Sequence, residues 1–587
     1  MLDHSVDRGM TMPGGTRAVG GPGRLGRLAV AGFLLYILAV FVLQATVVLG
    51  GDYFHEEFRS LFRYHQVGDP VLFAGDYLAD YAAAFPQPLL YEAATRLWMQ
   101  LVGDLLLLHR AMILGCWLLF AAGIVLAARR LAGGIAAVAV LGLAVAQPMY
   151  LYQMGSALPH AFAFPLLAWG LVAGFYGSAL GLAGVVILSG LLYPVFSPLL
   201  GLCLVWLVFV RQRAFSRPRA EMVKSVLLVG VTGLVALWLL YGILATPEQF
   251  GRALQPFQEA ETFPENGADG RHFGGIVHPV KFVIGKIGLQ FHDFFGPYWL
   301  LVLLAYALVA FYGLFVLPRR EAAARFFMVF IGIAVLLGAA AFLLRPFHAY
   351  RFLLYPLLMV LPLLFVVGVQ QLFRRFRAAA GVGAAAALIA AALVALASDS
   401  LNAHKLGFWW RLDADTRRVM DFAAEQPPQT VFAVWPDIEG PLELLPYIAR
   451  RPLLVMEKLH YPSFERHALE MRARANALVD AYLATDEAPL RDLHCRWGVA
   501  YLVAEKAHFA AEGTPPDYIP PFKARIEAIR QGRRPEEFLL QAPPARLVAL
   551  ETEAHFVLDL AATAPACGGD APAAQQAPAG IPPEAAG

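Results

Sequence analysis

The sequence predicts a polytopic α-helical membrane protein, with about 11 transmembrane helices and a C-terminal extracytoplasmic α/β domain. Three observations predict this. Apolar segments recur along the first two thirds of the chain, at roughly 27–49, 107–128, 131–147, 159–176, 179–193, 195–210, 225–245, 298–317, 326–344, 352–369 and 379–398. Each is close to the ~20 residues that a helix needs to cross a ~30 Å hydrocarbon layer. With the N-terminus in the cytoplasm, the connections that carry positive charge all fall on one side: Arg129–Arg130, 211–224, 319–325 and 374–377, together 13 Lys/Arg. The short connections opposite hold only Arg345 and Arg351. This asymmetry fixes orientation in the way cytoplasmic Lys/Arg usually do. After residue 398 the composition turns polar and the period changes, which marks a folded domain outside the bilayer.

Bulk composition agrees. Hydrophobic residues make up 59% of 587 and the mean hydropathy is +0.58. The net charge is only +2 and the basic residues sit at helix ends, so nucleic acid is not expected as a partner. In chain order, residues 1–24 read as a disordered cytoplasmic tail. The stretch 25–398 reads as the transmembrane domain, with external loops 50–106 and 246–297. Residues 399–562 read as the extracytoplasmic α/β domain, and 563–587 as a disordered Ala/Pro/Gly tail. In the first loop, Phe54, Phe58, Leu61 and Phe62 share one helical face, as do Leu90, Ala93, Ala94, Leu97 and Leu101. Both stretches predict amphipathic helices lying at the membrane interface. The C-terminal domain alternates a helix over 413–425, a strand TVFAVW, a strand PLLVMEK, a long helix over 463–484, a strand GVAYLVAE and a closing hairpin over 545–560. Its ~160 residues are enough to bury a core of their own. Cys116 and Cys203 lie in apolar spans; Cys495 and Cys567 lie outside, where a disulfide between them is open.

Four groups of residues carry chemistry. Asp52 follows the first span in LGGDYFHEE, with Glu56 and Glu57 one helical turn on. A carboxylate there is either a solvated cap or a general base or cation ligand at the mouth of a cleft. Asp76 and Asp80 are spaced to share a helix face, half of a metal site with no histidine at ligand spacing. Arg345, His348, Tyr350 and Arg351 lie on the side that the charge rule leaves poor in cations. They are either snorkelling groups or ligands for a phosphate, which the guanidinium fork grips with two hydrogen bonds. His160 opens a span on that same side, and Arg271 and His272 lie in a Gly-rich stretch able to close over a substrate.

In their order, these features resemble the GT-C superfamily of membrane glycosyltransferases, which use polyprenyl-phosphate-linked sugars. The residues carrying the resemblance are Asp52 after the first span, the large first loop, and Arg345, Arg351, Phe352 and Pro356 before a late span. A group of bacterial GT-C-like proteins is more similar still. There the matches are Asp69, Pro70, Leu72, Phe73 and Asp76; Pro159, Phe162 and Pro165; Leu192–Pro194; Met456–Glu457; and Gly498–Val503. One departure is His160, which stands where that group suggests an arginine. The resemblance covers about 30–560. It implies a GT-C-like fold in a bacterial inner (plasma) membrane, a polyprenyl-phosphate-linked sugar donor and an extracytoplasmic acceptor (glycan, lipid or protein), with inversion. It equates Asp52 with the catalytic acid of the superfamily, and keeps Asp76 and His160 as further catalytic candidates. Glu56, Glu57, Asp80, Arg271, His272, Arg345, His348, Tyr350 and Arg351 become substrate-binding candidates. The cofactor stays unknown, and a divalent cation stays open as an aid to the leaving phosphate. A lipid-linked glycan flippase and a non-catalytic scaffold of the same fold are the competing readings.

Overall fold

The computed structural model describes residues 24–243, 248–254, 259, 262–267, 283–285, 287, 288, 292, 295–318, 320–344, 350–375, 380–397, 409–437, 440–510, 512–563 and 567. Every one of the apolar segments becomes a helix. In order they are Arg24–Leu49, Leu105–Ala132, Gly134–Val145, Ala163–Tyr176, Ala179–Leu192, Ser197–Val205, Arg219–Ile243, Trp299–Val316, Ala322–Leu344, Arg351–Arg375 and Ala380–Ala397. The helices differ in length, however. Among the described residues eight helices are long and apolar enough to cross a membrane, or nine if one bent pair is a single span. The chain is thus a multi-pass helical membrane protein whose ladder includes several short rungs.

The short rungs have local causes. Gly134–Val145 and Met149–Gly155 meet at 66°. Between them Gln147 is extended because Pro148 follows it, and a residue before proline is pushed out of the helical region. Tyr193 leaves the helix Ala179–Leu192 for the same reason, with Pro194 next in the chain. Tyr152 lies on the short helix after the first break, His160 on the 3₁₀ turn Pro159–Phe162, and Tyr193 at the second break. Elsewhere the bundle is tight. A Cβ on Gly313 would lie 2.1 Å from the Leu364 carbonyl, and one on Gly368 2.2 Å from the Val309 carbonyl. Glycine is what lets Trp299–Val316 and Arg351–Arg375 approach backbone to backbone.

The polar region is built from two parts of the sequence. Strand β1 (Tyr53–His55) pairs antiparallel with β2 (Trp409–Arg411). The first loop and the C-terminal region therefore lie on the same face of the bundle. A four-stranded sheet follows, of β3 (Val431–Val434), β4 (Val499–Glu505), β5 (Val548–Glu551) and β6 (His555–Asp559), in the order β3-β4-β6-β5. The pair β3/β4 is parallel and the others are antiparallel. Asp413 caps the helix Ala414–Glu425, its Oδ1 accepting from Thr416 N at 2.7 Å. The run PLLVMEK is not a strand of this sheet. It makes only a bridge between Leu453 and Phe432, then turns into the 3₁₀ segment Glu457–Leu459.

One further expectation changes. Residues 53–65 are not an amphipathic helix at the interface. They form β1 and two 3₁₀ turns, and Phe54, Phe58, Leu61 and Phe62 are buried in one core with residues of the C-terminal region. The apolar spacing marked burial correctly but not the element, because partners on several sides replaced a single lipid face. The helix Leu89–Leu101 does form. It packs through Tyr91, Thr95 and Met99, and leaves Leu90, Leu97 and Leu101 exposed. The loop after Ile243 also joins this body: Phe250 sets its ring edge-on to Tyr81 at 4.9 Å, and Arg472 binds Glu265. Cys495 and Cys567 are disulfide-bonded, while Cys116 and Cys203 are free and buried.

Candidate functional site

The site grows from the turn after β1. His55 is buried; its Nδ1 accepts from Glu57 N at 3.1 Å and its Nε2 lies 2.9 Å from the Tyr152 carbonyl. That fixes the ring as the Nε2–H tautomer, since an acceptor at Nδ1 leaves Nε2 to donate. Burial pushes the imidazole below its ordinary pKa, which agrees with a neutral ring. So held, the 3₁₀ segment Glu56–Ser60 presents two adjacent carboxylates. Tyr152 donates to Glu56 Oε1 at 2.5 Å. Lys458, from the C-terminal region, places its Nζ 2.5 Å from Glu57 Oε2. Burial alone would raise the Glu57 carboxyl, but Lys458, His160 and His55 outweigh it and hold it well below the usual carboxylate range.

Arg59, one turn on, anchors this segment from below. It is 2% exposed and bridges Glu443 at 2.6 Å and Glu457 at 3.0 Å, with its guanidinium over the Trp410 ring. Burial, with Glu457 adding to it, pushes Glu443 up to about 7.

The membrane side supplies the cations and hydroxyls. Arg351 begins the helix Arg351–Arg375 and donates from Nη1 to the Tyr193 hydroxyl at 3.2 Å. Tyr355 and Tyr350 are its other close polar neighbours, and Tyr355 in turn donates to Gln153. Among the described residues no carboxylate pairs with Arg351, and its buried Nε has no hydrogen-bond partner. His160 lies within electrostatic reach of Arg351, Glu57, Lys458 and His55, and its ring faces Tyr193 edge-on. One polar cluster therefore joins a carboxylate pair to a guanidinium that has no carboxylate partner among the described residues. Such a guanidinium is costly to bury unless an anion completes it.

Of the residues singled out in the sequence, Glu56, Glu57, His160, Tyr350 and Arg351 come together here. Asp52 does not join them: it is 61% exposed and binds Arg417 at 2.6 Å, while its carbonyl accepts from Leu412 N. Asp76 caps the helix Tyr77–Ala84, its Oδ1 accepting from Ala79 N at 2.7 Å, and burial pushes its carboxyl up to about 6. Asp80 is exposed on that helix. Arg271, His272, Arg345 and His348 lie outside the described residues. Sequence reasoning missed His55, Arg59, Tyr152, Tyr193 and Lys458. Arg59 and Arg63, inside the apolar run of 54–62 and its flank, were the one available hint of buried charge.

A divalent cation does not fit this donor set. Among the described residues no three His, Cys, Asp or Glu groups gather at metal-binding distance. Glu56 is engaged by Tyr152 and Glu57 by Lys458, and Arg59 and Arg351 already supply positive charge.

No family model and no curated protein matches the chain. Among solved structures it is similar to ArnT from Cupriavidus metallidurans in the apo state. The TM-score is 0.47 at 14% identity, over 91% of this chain and 99% of that one. ArnT bound to undecaprenyl phosphate gives 0.45 at 14% identity, over 90% and 98%. The Archaeoglobus fulgidus oligosaccharyltransferase in complex with Zn and sulfate gives 0.43 at 13%, over 82% and 70%. At these scores the likeness is one of general outline and assigns no residue a role.

Proposed function

We propose that this protein is a membrane glycosyltransferase that moves a sugar from a polyprenyl-phosphate donor to an extracytoplasmic acceptor, with inversion at the anomeric carbon. The observation that carries the reading is Arg351, without a carboxylate partner among the described residues, set with three tyrosines at the start of a span and in one cluster with Glu56 and Glu57. A phosphate that enters from the lipid would complete it. The resemblance read in the sequence points to the same chemistry.

In this reading Glu56 is the general base. Its Oε1 is fixed by Tyr152. It takes the proton of an acceptor hydroxyl as that oxygen bonds to C1 of the sugar. The C1–O bond to the phosphate breaks, and its electron pair leaves on the phosphate oxygen. Arg351 donates to that oxygen as charge builds there, which is where fixed donors contribute most. His160 adds a neighbouring polar group, and Asp52 serves to join β1 to the helix Ala414–Glu425 through Arg417. The orientation with the cytoplasmic N-terminus, and the bacterial plasma membrane, belong to this proposal.

The test is transfer by the purified protein in lipid nanodiscs from a polyprenyl-phosphate sugar. Glu56→Gln is expected to slow turnover by roughly 100-fold or more, the usual contribution of a positioned base. Asp52→Asn should stay near wild type, and Arg351→Lys should chiefly weaken donor binding because the bidentate fork is lost. An inactive Asp52→Asn beside an active Glu56→Gln would return the base to Asp52. Tight donor binding by the wild type with no turnover would favour the scaffold.

A further inference from the structure

The reading above leaves the two adjacent carboxylates unexplained, since one base suffices. Their difference lies in what faces them. Glu56 meets a neutral hydroxyl, whereas Glu57 meets an ammonium delivered by a segment about 400 residues later in the chain. The Glu57–Lys458 pair is nearly enclosed, with side chains 12% and 17% exposed. The charged and titratable groups around Glu57 come from every wall of the cluster. Lys458 stands on the 3₁₀ segment Glu457–Leu459, and His160 on the turn before the helix Ala163–Tyr176. His55 belongs to β1, Glu56 and Arg59 share its own turn, Tyr152 comes from the bent helix, and Tyr355 from the helix of Arg351. Lys458 is the group that makes direct ionic contact.

We propose that Lys458 is a positioning residue of the site: it neutralises Glu57 and clamps the 56–57 turn, so that Glu56 alone acts as the base. This rests on the glycosyltransferase reading and deepens it, because it makes the C-terminal α/β region part of the reaction centre. Two neighbouring carboxylates without the ammonium would oppose each other's ionisation, as like charges in a shared site do. The ammonium cancels that repulsion. The Arg59 bridge to Glu443 and Glu457 fixes the residue next to Lys458 against the same turn, so the distance is set by a rigid and buried contact.

The experiment measures pH–rate profiles of kcat/KM for the full-length protein in nanodiscs. Lys458→Met is expected to move the acid limb to higher pH by about one unit, because Glu56 must then ionise beside an uncompensated Glu57. Lys458→Gln serves if the Met variant fails to fold, with the same expectation. Lys458→Arg keeps the charge and should keep the wild-type limb. Lys458→Met combined with Glu57→Gln removes both charges and should return the limb. A lowered rate at every pH with the limb unmoved would overturn the proposal and leave Lys458 a structural contact. A readout independent of turnover separates the two readings. Infrared difference spectra recorded across the acid limb should show an additional protonated carboxyl band that persists about one pH unit higher in Lys458→Met than in the wild type, and that returns to the wild-type position on adding Glu57→Gln. If the wild type transfers no sugar but that band behaves as stated, the assignment of the reaction fails and the role of Lys458 stands. If the band does not move, the role of Lys458 fails.

Discussion

Replacing Arg59 with methionine tests the core of the architecture, namely that the first loop and the C-terminal region share one folded body. Arg59 is 2% exposed, and its partners Glu443 and Glu457 are 1% and 0% exposed. Removing one member of a buried ion group strands the others, which typically costs about 3–5 kcal/mol. The structure argues for the lower end. Burial and Glu457 already push Glu443 up to about 7, so it can take a proton at neutral pH rather than stay charged without Arg59. A loss of about 3 kcal/mol is therefore expected. Trp410 is the natural reporter, since the Arg59 guanidinium lies 5.1 Å from its ring centre. Denaturant unfolding followed by tryptophan fluorescence would measure the loss. Arg59→Met with Glu443→Gln should recover part of it, a coupling of roughly 0.5–3 kcal/mol for residues in one network. A loss below about 1 kcal/mol in Arg59→Met, or strict additivity in the double variant, would refute the claim that this bridge holds the two regions together.

Three further outcomes follow from the same structure. Arg417→Ala breaks the Asp52 pair, but with side chains 44% and 61% exposed it should cost under about 1 kcal/mol in the same unfolding assay. Burial and Asp437 push Glu505 up to about 7 from 4.5, so the folded state holds its proton more tightly than the unfolded chain. Its contribution is complete below about pH 4.5 and is lost as pH rises through 7, and Glu505→Gln should flatten the stability profile across that window. Cys495 and Cys567 close a separation of 72 residues. Cys495→Ser should destabilise the polar region by about 2–4 kcal/mol, read as the difference in unfolding midpoint with and without reductant in the wild type and its absence in the variant.

The helical ladder was legible because hydrophobic length is a local property. Each apolar segment is continuous, and satisfying its backbone inside lipid demands a helix whatever its neighbours do. A helix cap is likewise local chemistry: Asp413 opens its helix by accepting from Thr416 N three residues on. The strands β3, β4, β5 and β6 fall where alternation and β-branched content put them. Where two environments favour the same spacing, local pattern failed. Phe54, Phe58, Leu61 and Phe62 would suit a lipid-facing helix, and instead fill a protein core from two 3₁₀ turns and a strand.

By itself, the sequence determined that this chain is a multi-pass membrane protein with a polar α/β region, and it located Arg351, His160 and the acidic cluster after the first span. Only the tertiary structure decided which acids matter together. Asp52 and Glu56 are carboxylates four residues apart, but β1 pairing turns one toward Arg417 at the surface and the other toward Tyr152 within the cluster. Lys458 and Arg351 reach the same cluster from more than 290 residues away along the chain. The physical reason is that hydrogen bonds and ion pairs need contact distances, and exposed charges are screened beyond about 10 Å at ordinary salt. Which charges lie within that distance is set by packing between distant segments, and no local pattern of residues records it.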